Sequence, residues 1–182
     1  MLGAILENVT GQSMAAAARK LIDFDRLGLA DTWWEVLEPK PGGMLPRAHQ
    51  YNYVQGWDSY GNDPPFDLFG GGIVSTTMDL ARFFYALFNG HVFRKAETIK
   101  VMESVVKTAS PRDPNACYIF GHGLQIQEVG DFTVYGHGGL WGVYAGYAPA
   151  LDMSVSVIGL RKESLERYRF GAWEVMSEAE RL

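Results

Sequence analysis

The chain has 182 residues, with 16 Lys plus Arg against 21 Asp plus Glu, for a formal net charge of −5. Apolar residues make up 47% and charged residues 20%, an ordinary globular balance that excludes disorder, collagen and a coiled coil. The acidic surplus argues against a nucleic-acid surface, the single Cys117 excludes an internal disulfide and a cysteine zinc cluster, and no apolar run reaches the ~18 residues of a membrane span.

Leu2, Ile5, Leu6 and Val9 recur at the spacing of a buried helix face. The segment is short and has neither a cationic leader nor a small-residue cleavage site, so it does not read as a signal peptide. A helix apolar from its first residue needs a partner, either the core of this chain or a segment preceding it. Gly11 ends this helix, and Ser13 caps a second one running through Ala15–Ala18 to Leu21. From about Asp31 to Gly72, Pro, Gly and aromatic residues predict a long irregular stretch of the kind that lies along a functional site.

Thr76-Thr77-Met78-Asp79 reads as a capping box, with Asp79 reaching back to Thr76. Leu80, Phe83, Phe84, Leu87 and Phe88 then form an apolar stripe that stops at Asn89-Gly90. A further helix is predicted over Lys95 to Val106. Tyr118–Gln127, Phe132–Gly136, Val143–Ala148 and Met153–Gly159 read as antiparallel strands separated by Gly, Asp or Pro. Ser164 to Leu182 reads as an amphipathic helix with Leu165, Tyr168, Ala172, Trp173, Val175, Met176 and Ala179 on its apolar side. Helices, then strands, then a closing helix predict an α+β fold, an antiparallel sheet packed by helices including a C-terminal one. It reads as a single domain, with helices and loops over residues 1–115 and strands plus the closing helix over 116–182.

Four stretches carry a resemblance in order and spacing. They are Leu2 to Ser13 (LGAILENVTGQS), Leu27 to Thr32 (LGLADT), Gly70 to Phe83 (GGGIVSTTMDLARF) and Tyr135 to Gly142 (YGHGGLWG). Together they resemble the penicillin-binding serine hydrolases, which include class C β-lactamases, D-alanyl-D-alanine carboxypeptidases and related esterases. The resemblance implies part of a β-lactamase/transpeptidase-like fold and acyl-serine hydrolysis of an ester, amide or lactam.

That family works with three elements: a Ser-x-x-Lys nucleophile, a Tyr-x-Asn, and a Lys-Thr-Gly or His-x-Gly strand forming one wall of the site. Only the third stands in its expected place, as His137-Gly138-Gly139. The other two would fall before Met1. The chain is therefore expected to be the C-terminal portion of such a hydrolase and inactive alone. The resemblance assigns catalytic roles to His137, Gly139 and Leu140, with the Leu140 N–H as one oxyanion donor on an edge strand. It assigns substrate contacts to Gly138, Trp141, His49 and Tyr51, the last two in a segment similar to the family's Ala-His-Gly-Tyr. The other reading of His137 is a turn histidine among structural glycines. Leu140 departs from the polar residue common there in β-lactamases, which leans towards an esterase or peptidase relative. His122 falls in a strand that is structural in the family.

The implied ligand is a small or peptide-like acyl substrate, with no cofactor. No metal is expected, since the histidines lack carboxylate partners at metal spacing. Members are often periplasmic or secreted, although this chain shows no leader.

Ser104-Val105-Val106-Lys107 and Tyr60-Gly61-Asn62 match the first two elements literally but in reversed order. Ser104 falls late in its predicted helix, whereas a nucleophile gains from the free N–H groups at a helix start. A second reading is a non-catalytic, truncated paralogue that binds a peptide or partner chain through an open sheet edge. Self-association or an N-terminal partner segment would then complete the sheet.

Overall fold

The computed structural model describes residues 1–52, 56–60, 71–109, 117–139, 141–161 and 165–180; the side chains at 52, 57, 107–109, 117, 118, 165–170 and 180 fall outside the description. Helices α1 (Leu2–Thr10) and α2 (Met14–Ile22) form a hairpin turned by Gly11 in the left-handed conformation. The Ser13 hydroxyl accepts from Ala16 N, as its capping role requires. With the short α3 (Phe24–Leu27), they enclose a cluster of Met14, Ala15, Phe24, Leu29 and Trp34.

The apolar stripe of α1 meets a different outcome from the one its spacing predicts. Leu6 packs on the α2 cluster, but Leu2 is 82% exposed, Val9 is 79% exposed, and Ile5 is also exposed. Periodicity defines a face and says nothing about what lies against it.

The irregular stretch is fastened at its ends, where β1 (Trp33–Trp34) pairs with β4 (Ile73–Val74). Between them β2 (Tyr51–Asn52) and β3 (Trp57–Asp58) form a small hairpin. Helix α4 (Thr77–Phe88) starts with Thr76 Oγ1 accepting from Asp79 N at 3.1 Å. The Asp79 carboxylate does not reach back as the capping box predicts. It is 2% exposed and accepts from Asp31 N at 2.9 Å and Thr32 Oγ1 at 2.8 Å, tying the loop before β1 to the helix.

Helix α5 spans only Thr98–Glu103, shorter than predicted. Ser104 is already extended, and Val106 enters strand β5 (Val106–Ala109), where β-branched side chains are favoured over a helix. The single strand predicted over Tyr118–Gln127 is two strands, β6 (Cys117–Phe120) and β7 (Gln125–Val129). Gly121 N donates to Leu124 O at 2.9 Å and closes the turn between them. A Cβ on Gly121 would stand 2.0 Å from Met102 O, so only glycine passes beneath α5. His122 therefore lies in this turn and not in a strand.

Strands β8 (Phe132–Gly138), β9 (Val143–Ala148) and β10 (Met153–Ile158) and helix α6 (Leu165–Glu180) complete the chain. The main sheet is six-stranded and antiparallel, in the order β10-β9-β8-β7-β6-β5. Helix α4 covers one face, with Phe84 against Leu124, Ala145 and Tyr147. Helix α6 covers the other, with Met176 against Phe132, Val134 and Ala148. Val175, expected on the apolar side of α6, points to solvent. Among the described residues no helix is long and apolar enough to cross a membrane.

Candidate active site

The two ends of β8 have different neighbours. On one side β7 pairs with it from Val129↔Phe132 to Gln125↔Gly136. On the other, β9 pairs with it from Tyr135↔Tyr147 to Gly138↔Tyr144. Strand β7 begins opposite Gly136, so His137 and Gly138 run past it with β9 as their only strand partner among the described residues. The predicted edge strand is thus an interior strand whose last two residues form an edge.

The phase of the ladder follows from one bond. Gly139 N donates to Val143 O at 2.7 Å. Tyr135, His137 and Gly139 therefore turn their main-chain groups towards β9, and Val134, Gly136 and Gly138 turn theirs the other way. Val134 and Gly136 meet β7. The Gly138 N–H and C=O face the open edge, available to an extended ligand.

The turn after β8 is tightly held. Gly142 N donates to Gly139 O at 3.2 Å, and Gly159 N donates to Gly142 O at 2.7 Å. Gly142 has φ 84, and a Cβ there would stand 2.7 Å from Gly159 O, so this position requires glycine. The exposed His137 shares the α4 face of the sheet with Tyr135 and Ala145, since antiparallel partners project to the same side. Leu140 lies outside the described residues. Trp141 carries its carbonyl on the outside of the turn, where it accepts from Gln50 Nε2 at 2.7 Å.

That bond joins the β2–β3 hairpin to the turn, and it comes from Gln50 rather than from its two candidate neighbours. Alternation along an extended segment places His49 and Tyr51 opposite Gln50. There the His49 ring stacks on Tyr60 at 4.1 Å, and its Nδ1 lies 2.8 Å from the Asp58 carboxylate. The Tyr60 N–H, followed by His49, holds the Asp58 carboxyl below the usual carboxylate range. The structure thus brings His137, Gly138, Gly139 and Trp141 together, with Gln50 reaching the turn and His49 stacked on Tyr60 beside Asp58. The polar amide between two aromatic-type residues in His49-Gln50-Tyr51 was the available signal for this.

The literal matches to the missing motifs are engaged elsewhere. Ser104 Oγ donates to Val101 O at 2.7 Å, and His122 Nδ1 lies 3.2 Å from Ser104 Oγ and 2.9 Å from the same carbonyl. A carbonyl only accepts, so Nδ1 carries its proton there and cannot take one from Ser104. The Tyr60 hydroxyl donates to Arg47 O, while Gly61 and Asn62 lie outside the described residues. Two grooves of about 540 and 600 Å³ open elsewhere, the first lined by Trp33, Met44 and Ser75, the second by Arg26, Arg82 and His91. Neither includes a residue of the His137–Trp141 turn.

An antiparallel sheet covered by helices on both faces, with a His-Gly-Gly strand end open at one edge, is the architecture of a β-lactamase/transpeptidase-like fold. The Beta-lactamase family model matches residues 1–179, and the chain belongs to that family of serine hydrolases. The structure is similar to the D-amino acid amidase from Ochrobactrum anthropi SV3 complexed with L-phenylalanine, at a TM-score of 0.68 and 26% identity over 87% of this chain and 46% of that one. It is similar to EstCE1, a hydrolase with promiscuous acyltransferase activity, at 0.63 and 20% over 94% of this chain and 52% of that one. It is also similar to the octameric penicillin-binding protein homologue from Pyrococcus abyssi, at 0.58 and 25% over 85% and 35%. The chain spans about half the length of the first two and about a third of the last.

Proposed function

We propose that this chain supplies the substrate-binding wall of an acyl-serine hydrolase site, acting on an ester, amide or lactam, and that the nucleophile and its base come from residues outside these 182. The observation that carries the reading is the open end of β8, where Gly138 turns its main-chain groups to an edge that no described strand covers, beside the exposed His137. The substrate's acyl portion lies along that edge, and Gly138 and Gly139 let it approach the backbone without a Cβ in the way. The Leu140 N–H is the oxyanion donor, and Trp141 borders the acyl group. His137 attracts a substrate carboxylate or shares a proton with the missing base. The similar amidase favours an amide over a lactam.

A fluorophosphonate serine probe, read by intact mass, tests this. The purified chain is expected to remain unlabelled. One adduct per chain would overturn the claim that the nucleophile lies elsewhere, and mapping it to Ser104 would make that serine the nucleophile.

A second reading has its own support. Among the described residues strand β10 pairs with β9 alone, and the α1 stripe of Leu2, Ile5 and Val9 is exposed. Open strands and apolar faces invite another chain. On this reading the chain self-associates or binds a partner segment and performs no chemistry. Light scattering would give a dimer or larger species, and a clean monomer would count against it.

A further inference from the structure

Two glutamines stand two residues apart on β7, projecting to the same face of the sheet. Gln127 is satisfied, its Oε1 accepting from the Tyr144 hydroxyl at 3.2 Å. Gln125 Oε1 is buried and accepts no hydrogen bond among the described residues. It belongs to the residue at which β7 begins, the last partner of β8 before its open end. The place where a Gly138 side chain would start is 3.8 Å from that oxygen, and in glycine this place is empty. A buried acceptor without a donor costs free energy unless something supplies the donor. Here the oxygen, the vacant Cβ position and the free Gly138 main chain converge on one point of the edge.

We propose that Gln125 is a specificity-determining residue of this edge, its Oε1 accepting an N–H from an amide- or amine-bearing acyl ligand laid alongside Gly138. The proposal rests on the reading of the edge as the acyl-binding wall and narrows its substrate class. An ester of the same skeleton presents an oxygen where the amide presents N–H, leaving Gln125 Oε1 unpaired and facing another lone pair. Sites built around a buried polar group reject ligands that fail to pair with it. Gln125 binds and selects; it takes no part in bond making.

The test compares two probes by NMR titration of the whole chain, following the amide signals of His137, Gly138 and Gly139. One is N-acetylphenylalanine methylamide. The other is O-acetyl-phenyllactate methyl ester, the same skeleton with both N–H groups replaced by oxygen. The amide is expected to bind at least ~10-fold more tightly than the ester. Gln125→Met should reduce that preference by weakening the amide, with the ester changed little, and what remains reflects pairing with the Gly138 carbonyl. It should also unfold at the same temperature as the parent or higher, because no hydrogen bond is lost. Gln125→Asn, which withdraws the oxygen by one methylene, should retain part of the preference.

Equal affinities in the parent chain, or a preference undiminished by Gln125→Met, would overturn the proposal while leaving the acyl wall standing. A drop in thermal stability for Gln125→Met would reveal an internal partner for the amide and would also overturn it. If neither probe moves the three signals at tens of millimolar, the acyl-wall reading fails and the proposal falls with it.

Discussion

Gly136 and Gly138 sit on the same face of the same strand, two residues apart, and serve opposite purposes. A Cβ on Gly136 would stand 2.5 Å from Ala145 O and 3.0 Å from the Tyr144 hydroxyl, so that glycine is a packing requirement. A Cβ on Gly138 would meet nothing closer than 3.7 Å. At Gly136 the strand is paired on both sides, and neighbouring Val134 is 0% exposed. At Gly138 it is paired on one side only among the described residues. The difference shows that a run of glycines in a motif can join a structural position to a ligand-facing one, with the boundary set by where the adjacent strand begins.

The β7-paired part of β8 can be broken from the α6 side. Met176 is fully buried against Phe132 and Val134. Met176→Ala should therefore cost about 2–5 kcal/mol through lost burial and a cavity, measured by urea denaturation. Gly136→Ala comes next, at about 1–3 kcal/mol, because its obstruction is backbone that cannot swing away. Gly138→Ala should stay within about 0.5 kcal/mol of the parent. If these two alanine substitutions cost the same, the contrast between the two ends of the strand is lost.

A smaller effect concerns the far end of β9. The Tyr147 hydroxyl donates to Asp152 Oδ1 at 2.7 Å, and Asn89 donates to both residues. Tyr147→Phe should cost about 1 kcal/mol, the net worth of such a bond. Burial first, then the bond to Asp152, push the Tyr147 phenol from 10.0 up to about 12. The folded state thus prefers the neutral phenol. Its contribution is complete below pH 10 and is lost as pH rises towards 12. Tyr147→Phe should flatten that alkaline decline in a series of denaturation curves. Asp152 is shifted the other way by Tyr147 and then Asn89, so its contribution is present above its ordinary value and lost as pH falls through the lowered one.

Local rules were sufficient where local forces decide. The stripe from Leu80 to Phe88 and the Thr76 cap define α4, and short β-branched or aromatic runs between turn residues define β8, β9 and β10. They failed where tertiary structure decides. The Asp79 carboxylate was drawn to Asp31 and Thr32, far away in sequence. The β6–β7 turn depends on Met102 O lying over Gly121. The α1 stripe looks like any buried face until the structure shows what packs on it. At the candidate site, His137-Gly138-Gly139 was legible as a motif by resemblance. The open edge was not, because it depends on β7 starting at Gln125. Nor does any pattern in sequence announce that Gln125 lacks a partner while Gln127 has one.

Amide hydrogen exchange along β8 tests the central claim most directly. Val134, Gly136 and Gly138 all turn their N–H groups to the β7 side, and β7 covers the first two but not the third. In the free chain Val134 and Gly136 should exchange slowly and Gly138 fast, with Gly138 becoming protected when N-acetylphenylalanine methylamide is bound. A Gly138 amide as protected as Gly136 in the free chain, or one that the ligand leaves unchanged, would contradict the account.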